Sequence, residues 1–107
     1  MFKLVSSPTF NATVTVSMPG GKPPETFTAC FRLPGAETLS GFDLATMDGQ
    51  RAFLEEVMIG ASDLVDEDGE PLSWSAELRS RLIDTVPVRR GLIAAFEREL
   101  VGAREKN

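Results

Sequence analysis

Apolar and polar residues alternate from Phe10 to Ser17. Phe10, Ala12, Val14 and Val16 fall on one face, and Asn11, Thr13, Thr15 and Ser17 on the other. A period of two with β-branched enrichment predicts a half-buried strand over about 10–17. Glu25 to Arg32 repeat it, with Phe27, Ala29 and Phe31 opposite Thr26, Thr28, Cys30 and Arg32. The intervening Met18-Pro19-Gly20-Gly21-Lys22-Pro23-Pro24 can continue neither a strand nor a helix. An antiparallel hairpin with a long loop is therefore expected. Phe2-Lys3-Leu4-Val5 has the alternation for a short edge strand.

Beyond Pro34-Gly35 the period lengthens. Ala36 to Phe42 read as a brief helical turn. Phe53, Leu54, Val57 and Met58 form the stripe of a helix over about 47–59. Thr46 or Asp48 can cap its start, and Gly60 can take the left-handed conformation at its end. Leu64-Val65 and Pro71-Leu72 flank Asp68-Gly69, a tight-turn dipeptide. Ser75 caps a helix over about 75–84, with Glu77 in its first turn and Leu78, Leu82 and Ile83 inward. Thr85-Val86-Pro87 breaks it, and Pro87 opens a last helix over about 87–103. Val88, Leu92, Ala95, Phe96 and Leu100 recur there at helical spacing. Gly91 should weaken that helix by about 1 kcal/mol relative to alanine. The expected fold is α+β in one domain: a β-hairpin within 1–34, then three or four α-helices within 35–107.

Composition narrows the function classes. The 107 residues suit one modest core, and 42% hydrophobic with 25% charged residues is ordinary for a globular protein. A net charge of -5 disfavours nucleic acid, whose phosphates repel an acidic chain. The adjacent pair Arg89-Arg90 reads as a solvated helix face. Apolar runs fall short of a membrane span, and the start lacks the pattern of a signal peptide, so a cytoplasmic location without a membrane partner is expected. Histidine and tyrosine are absent, which removes the commonest general base and every Ser-His or Cys-His nucleophile. Zinc could use only Cys30 and carboxylates, a poor ligand set, and no cofactor is expected.

The remaining motifs favour structural readings. An EF-hand built around Gly69 would need an oxygen ligand at Leu64 and a glutamate at Ser75, so Asp66-Glu67-Asp68-Gly69 reads as a solvated turn. Met18 to Lys22 lacks the spacing of a phosphate loop, and Pro23 stands where a hydroxyl is needed. Glu55-Glu56, Glu97 and Glu99 lie on amphipathic helices with basic neighbours, as solvated faces do. Trp74 is read as core in preference to an interface anchor. Cys30, with no histidine to activate it, is read as an unreactive strand residue.

One order of motifs carries more. The segment Val65-Asp66-Glu67-Asp68-Gly69-Glu70-Pro71-Leu72-Ser73-Trp74-Ser75 leads to Leu78, Leu82, Val86-Pro87-Val88-Arg89 and Ala94-Ala95-Phe96, and ends in Gly102-Ala103-Arg104-Glu105-Lys106-Asn107. Together with Phe27-Thr28-Ala29-Cys30-Phe31-Arg32-Leu33-Pro34, it resembles the tail assembly chaperones of siphophages, of the lambdoid and HK97-like type, and of their prophages. The resemblance spans most of the chain through order and spacing more than through any single motif. Relatives often carry a tryptophan just before the acidic turn, where this chain has Gly60-Ala61-Ser62.

The resemblance implies a protein that is not an enzyme and is absent from the mature virion. Such a chaperone binds the tape measure protein in the bacterial host cytoplasm, keeps it soluble and helps tail tube subunits polymerise around it. Many copies on one client would give avidity, and self-association is expected. Members of the family are often made in a longer form by a -1 ribosomal frameshift, with an added domain that recruits the tail tube protein. Glu105-Lys106-Asn107 can be spelled GAA-AAA-AAC, which contains a slippery heptamer. The candidate protein-binding groove comprises Phe53, Val57, Leu78, Leu82, Leu92 and Phe96, each of which also fits ordinary core. Two alternatives remain: a small structural component of the tail or head-tail connector, and a regulatory or antitoxin-like binding module.

Overall fold

The computed structural model describes residues 1–105, so the Lys106-Asn107 ending of the sequence reading lies outside the described residues. The alternating segments form β1 (Thr9–Val16) and β2 (Glu25–Arg32), paired antiparallel from Thr9 opposite Arg32 to Val16 opposite Glu25. Ala12, Val14, Phe27, Ala29 and Phe31 are buried on one face, as the period of two demands. Gly20 and Gly21 in the connecting loop both have positive φ, which glycine adopts without a Cβ penalty. Phe2 to Val5 form no strand; Phe2 and Leu4 are each 86% exposed.

The brief turn after Pro34 is helix α1 (Ala36–Ser40). Helix α2 (Met47–Val57) starts where Thr46 Oγ1 accepts from the Gly49 amide at 3.0 Å. It ends two residues before the expected Ile59. Met58–Ser62 form a third strand, β3, which pairs antiparallel with β2 and gives the sheet order β1-β2-β3. Met58 closes α2 in extended conformation, and Gly60 has no left-handed backbone; it sits opposite Cys30. The reason is non-local: β2 offers a second hydrogen-bonding edge, and Met58 and Ala61 pack toward the core from it. Sheet residues thus extend beyond the hairpin into the part of the chain read as helical. The β2–β3 register shifts between Cys30 and Phe31, leaving Ile59 as the extra residue of a bulge.

The acidic turn forms as read. Gly69 (φ 82) donates to the Asp66 carbonyl, the Asp66 amide donates to the Glu70 carbonyl, and Val65 bridges Pro71. The Asp66 carboxylate accepts from the Asp68 and Glu70 amides at 2.8 and 3.0 Å, which holds the turn together internally. Ser75 Oγ accepts from the Leu78 amide at the start of α3 (Ala76–Asp84). Helix α4 (Val86–Glu105) begins one residue before Pro87 and extends past the expected end at 103. The chain thus has four helices and three strands among its described residues.

The helices cover the apolar face of the sheet. Phe96 of α4 stands at the centre, with its ring 5.5 Å from Phe10, 5.3 Å from Phe31 and 4.9 Å from Phe53. The edge-to-face arrangement with Phe31 and Phe53 is the geometry that aromatic quadrupoles favour. Phe42 stacks edge-on against Phe53 and carries the α1–α2 connection onto the same cluster. Helix α4 also guards β1: Arg98 donates to the Thr13 carbonyl at 2.5 Å, and Gly91 lies against the Thr15 carbonyl. Trp74 is half-buried and packs on the core margin.

Arg89 corrects the reading of the basic pair. Arg90 is exposed, but Arg89 is only 4% exposed. Its Nε donates to Gln50 Oε1 at 3.1 Å and its Nη1 to the Ile83 carbonyl at 3.3 Å. The guanidinium therefore sits on the C-terminal end of α3, where free carbonyls and the helix dipole favour a cation.

Candidate functional site

The six residues read as a candidate groove, Phe53, Val57, Leu78, Leu82, Leu92 and Phe96, all lie in the core and are at most 9% exposed. The fold brings them together, but against one another and the sheet. Apart from the edge of Leu82, they offer a partner no open surface in this conformation. Helical periodicity identified which face of each helix is buried; it could not say against what.

An open apolar cleft lies elsewhere, at the end of the sheet where the β1–β2 loop approaches the acidic turn. Phe27 and Leu82 form its floor, and Val16, Leu64 and Val88 its walls. Met18, Pro23 and Val65 stand at the rim with Lys22, Glu25 and Asp63. The volume is about 230 Å³. Of the six core positions named above, Leu82 alone also lines this cleft.

Local sequence explains why the cleft exists. The glycines and prolines of the β1–β2 loop carry Met18 and Pro23 away from the sheet instead of closing over it. Asp63 adopts positive φ (63°), which turns the chain out of β3, and its carboxylate accepts from Thr28 Oγ1 at 2.8 Å. That bend directs Leu64 inward and leaves Val65 60% exposed. The signal available in the sequence was only that Leu64, Val65 and Met18 are apolar residues next to turn-forming segments. They show neither helical nor strand periodicity.

Chemically, the cleft combines an apolar floor with a rim of both charge signs. Among the described residues no group of three or more Cys, Asp or Glu side chains is placed to hold a metal ion. No helix among them is long and apolar enough to cross a membrane. The resolved electrostatic perturbation is peripheral. Exposed Arg51 bonds to Asp84, which raises the guanidinium above its ordinary value and ties α2 to the end of α3. Arg32 and Glu56, 2.6 Å apart, tie β2 to α2 in the same way. Both pairs are surface pairs that add little stability. Compared with protein-family models, with curated proteins and with solved structures, the chain matches none.

Proposed function

We propose that this protein is a siphophage tail assembly chaperone, which binds the tape measure protein and keeps it soluble while tail tube subunits polymerise around it. The reading rests on the order of motifs from the acidic turn to the Pro-started helix. The observation that carries it to a site is the half-open apolar cleft between the β1–β2 loop and that turn. A long helical client would seat apolar side chains on Phe27 and Leu82, with Met18 and Val65 closing around them. The acidic exterior would keep the assembly dispersed. Each contact is small, so binding along the client depends on many copies.

The protein acts in the host cytoplasm and leaves before the virion is complete. A longer -1 frameshift form would recruit the tail tube protein. Three experiments test the reading. The tape measure protein, co-expressed with this chain, should move from the insoluble to the soluble fraction. A Met18→Glu, Val65→Glu variant should stay folded and lose that effect, since both side chains are exposed. Mass spectrometry of purified particles should lack this chain. Its presence there would instead make it a structural component of the tail or head-tail connector. Intact masses of the products from the native gene decide whether the longer form is made.

A further inference from the structure

We infer that residues Phe2 to Val5 dock as an added strand on the free edge of β3 in a second copy of this chain. The two edges of the sheet are treated differently. Along β1, α4 supplies Arg98 to the Thr13 carbonyl and sets Gly91 against the Thr15 carbonyl. On the other side β3 is the last strand, with β2 as its one strand neighbour. Its sequence, Met58-Ile59-Gly60-Ala61-Ser62, has no charge and no proline, the devices that normally protect an edge. The bulge at Ile59 is confined to one end, and Gly60, Ala61 and Ser62 pair regularly with β2.

The occupant is argued from the same chain. Phe2 and Leu4 are each 86% exposed and Val5 51%, an apolar alternation without a partner. In extended form Phe2 and Leu4 share a face. Their segment can cover Ile59, the 42% exposed residue of β3. Charge agrees: Lys3 lies within the segment, while Glu55 and Asp63, both exposed, flank β3; Glu56 is already paired with Arg32. The segment cannot reach its own β3. Pro8 is tied beside Leu33 by a 2.9 Å hydrogen bond, at the end of the hairpin opposite the β1–β2 loop. The three residue steps from Pro8 to Val5 span at most about 11 Å. A strand outside β3 lies three strand spacings from β1, about 14 Å. The partner is therefore a second copy, through β-augmentation, and this holds whatever client the protein serves.

The test is sedimentation equilibrium of the whole chain and two variants. Phe2→Ser, Leu4→Ser removes the apolar segment, and Ile59→Lys charges the edge. Circular dichroism and thermal melts check that each remains folded. The wild type should self-associate at micromolar to millimolar concentration, and each variant should weaken this by at least about tenfold in dissociation constant. A mixture of the two variants should recover association, because one retains the edge and the other the segment. A wild type monomeric throughout that range overturns the inference. So does self-association that survives both variants, or variants that fail to complement each other.

Discussion

Gly91 of α4 sits so close to β1 that a Cβ there would stand 2.5 Å from the Thr15 carbonyl oxygen and 3.1 Å from Val14 Cγ1. The obstacle is backbone at the edge of a sheet, which cannot move aside as a flexible side chain could. The glycine that looks like a flaw in a helix is what allows the helix to lie on the strand.

Gly91→Ala therefore inverts the expectation from helix propensity. Propensity alone would add about 1 kcal/mol of stability. Overpacking against β1 should instead remove roughly 1–3 kcal/mol. Urea denaturation of the two proteins gives the sign directly; a midpoint that rises would show that α4 can slide off Thr15 at little cost.

Arg89 is the other buried departure from pattern. Arg89→Met keeps the aliphatic bulk but leaves Gln50 Oε1 and the Ile83 carbonyl without their donor. The expected loss is roughly 1–3 kcal/mol in chemical denaturation. Arg90→Met, one residue on and exposed, should change the midpoint by less than about 0.5 kcal/mol.

Phe96 joins four parts of the core at once. Phe96→Ala should cost roughly 3–5 kcal/mol, since Phe10, Phe31 and Phe53 all lose an aromatic contact and a cavity remains. Against a typical domain stability of about 5–15 kcal/mol this leaves a marginal protein. Thermal melts followed by near-ultraviolet circular dichroism should show the loss. Phe96→Leu should fall between the two.

The helix caps permit a smaller, cleaner measurement. Ser75→Ala removes the acceptor for the Leu78 amide and should cost about 1 kcal/mol, while Ser75→Asp restores a cap and most of the stability. A Ser75→Asp protein no more stable than Ser75→Ala would place the effect outside the cap.

Much of this fold was legible in the sequence wherever local chemistry and period agreed. The two strands of the hairpin, the caps at Thr46 and Ser75 and the Asp68-Gly69 turn are each dictated by residues near at hand. The third strand was hidden because Val57 and Met58 continue the apolar stripe of α2, and Gly60 mimics a helix end. What makes Met58–Ser62 a strand is β2, more than twenty residues earlier in the chain. Arg89 was misjudged because a charged residue on a helix is normally solvated, and only the tertiary fold puts the end of α3 in front of it. The candidate groove shows the same limit. Period reveals an apolar face, but whether that face meets its own chain or another depends on how many other faces compete for it.

The direct passage from α2 into β3 has a mechanical consequence. Met58 ends the helix and begins the strand, with no slack residue between them. Slipping Met58 by one residue against Phe31 would advance the helix by one residue too, a swing of about 100°, because the bulge at Ile59 lies beyond this joint. Phe53, Leu54 and Val57 would then leave the core together. Helix and strand thus act as a ratchet with one stable tooth. Backbone amides at the end of α2 and at Met58 should exchange with solvent in a single cooperative opening.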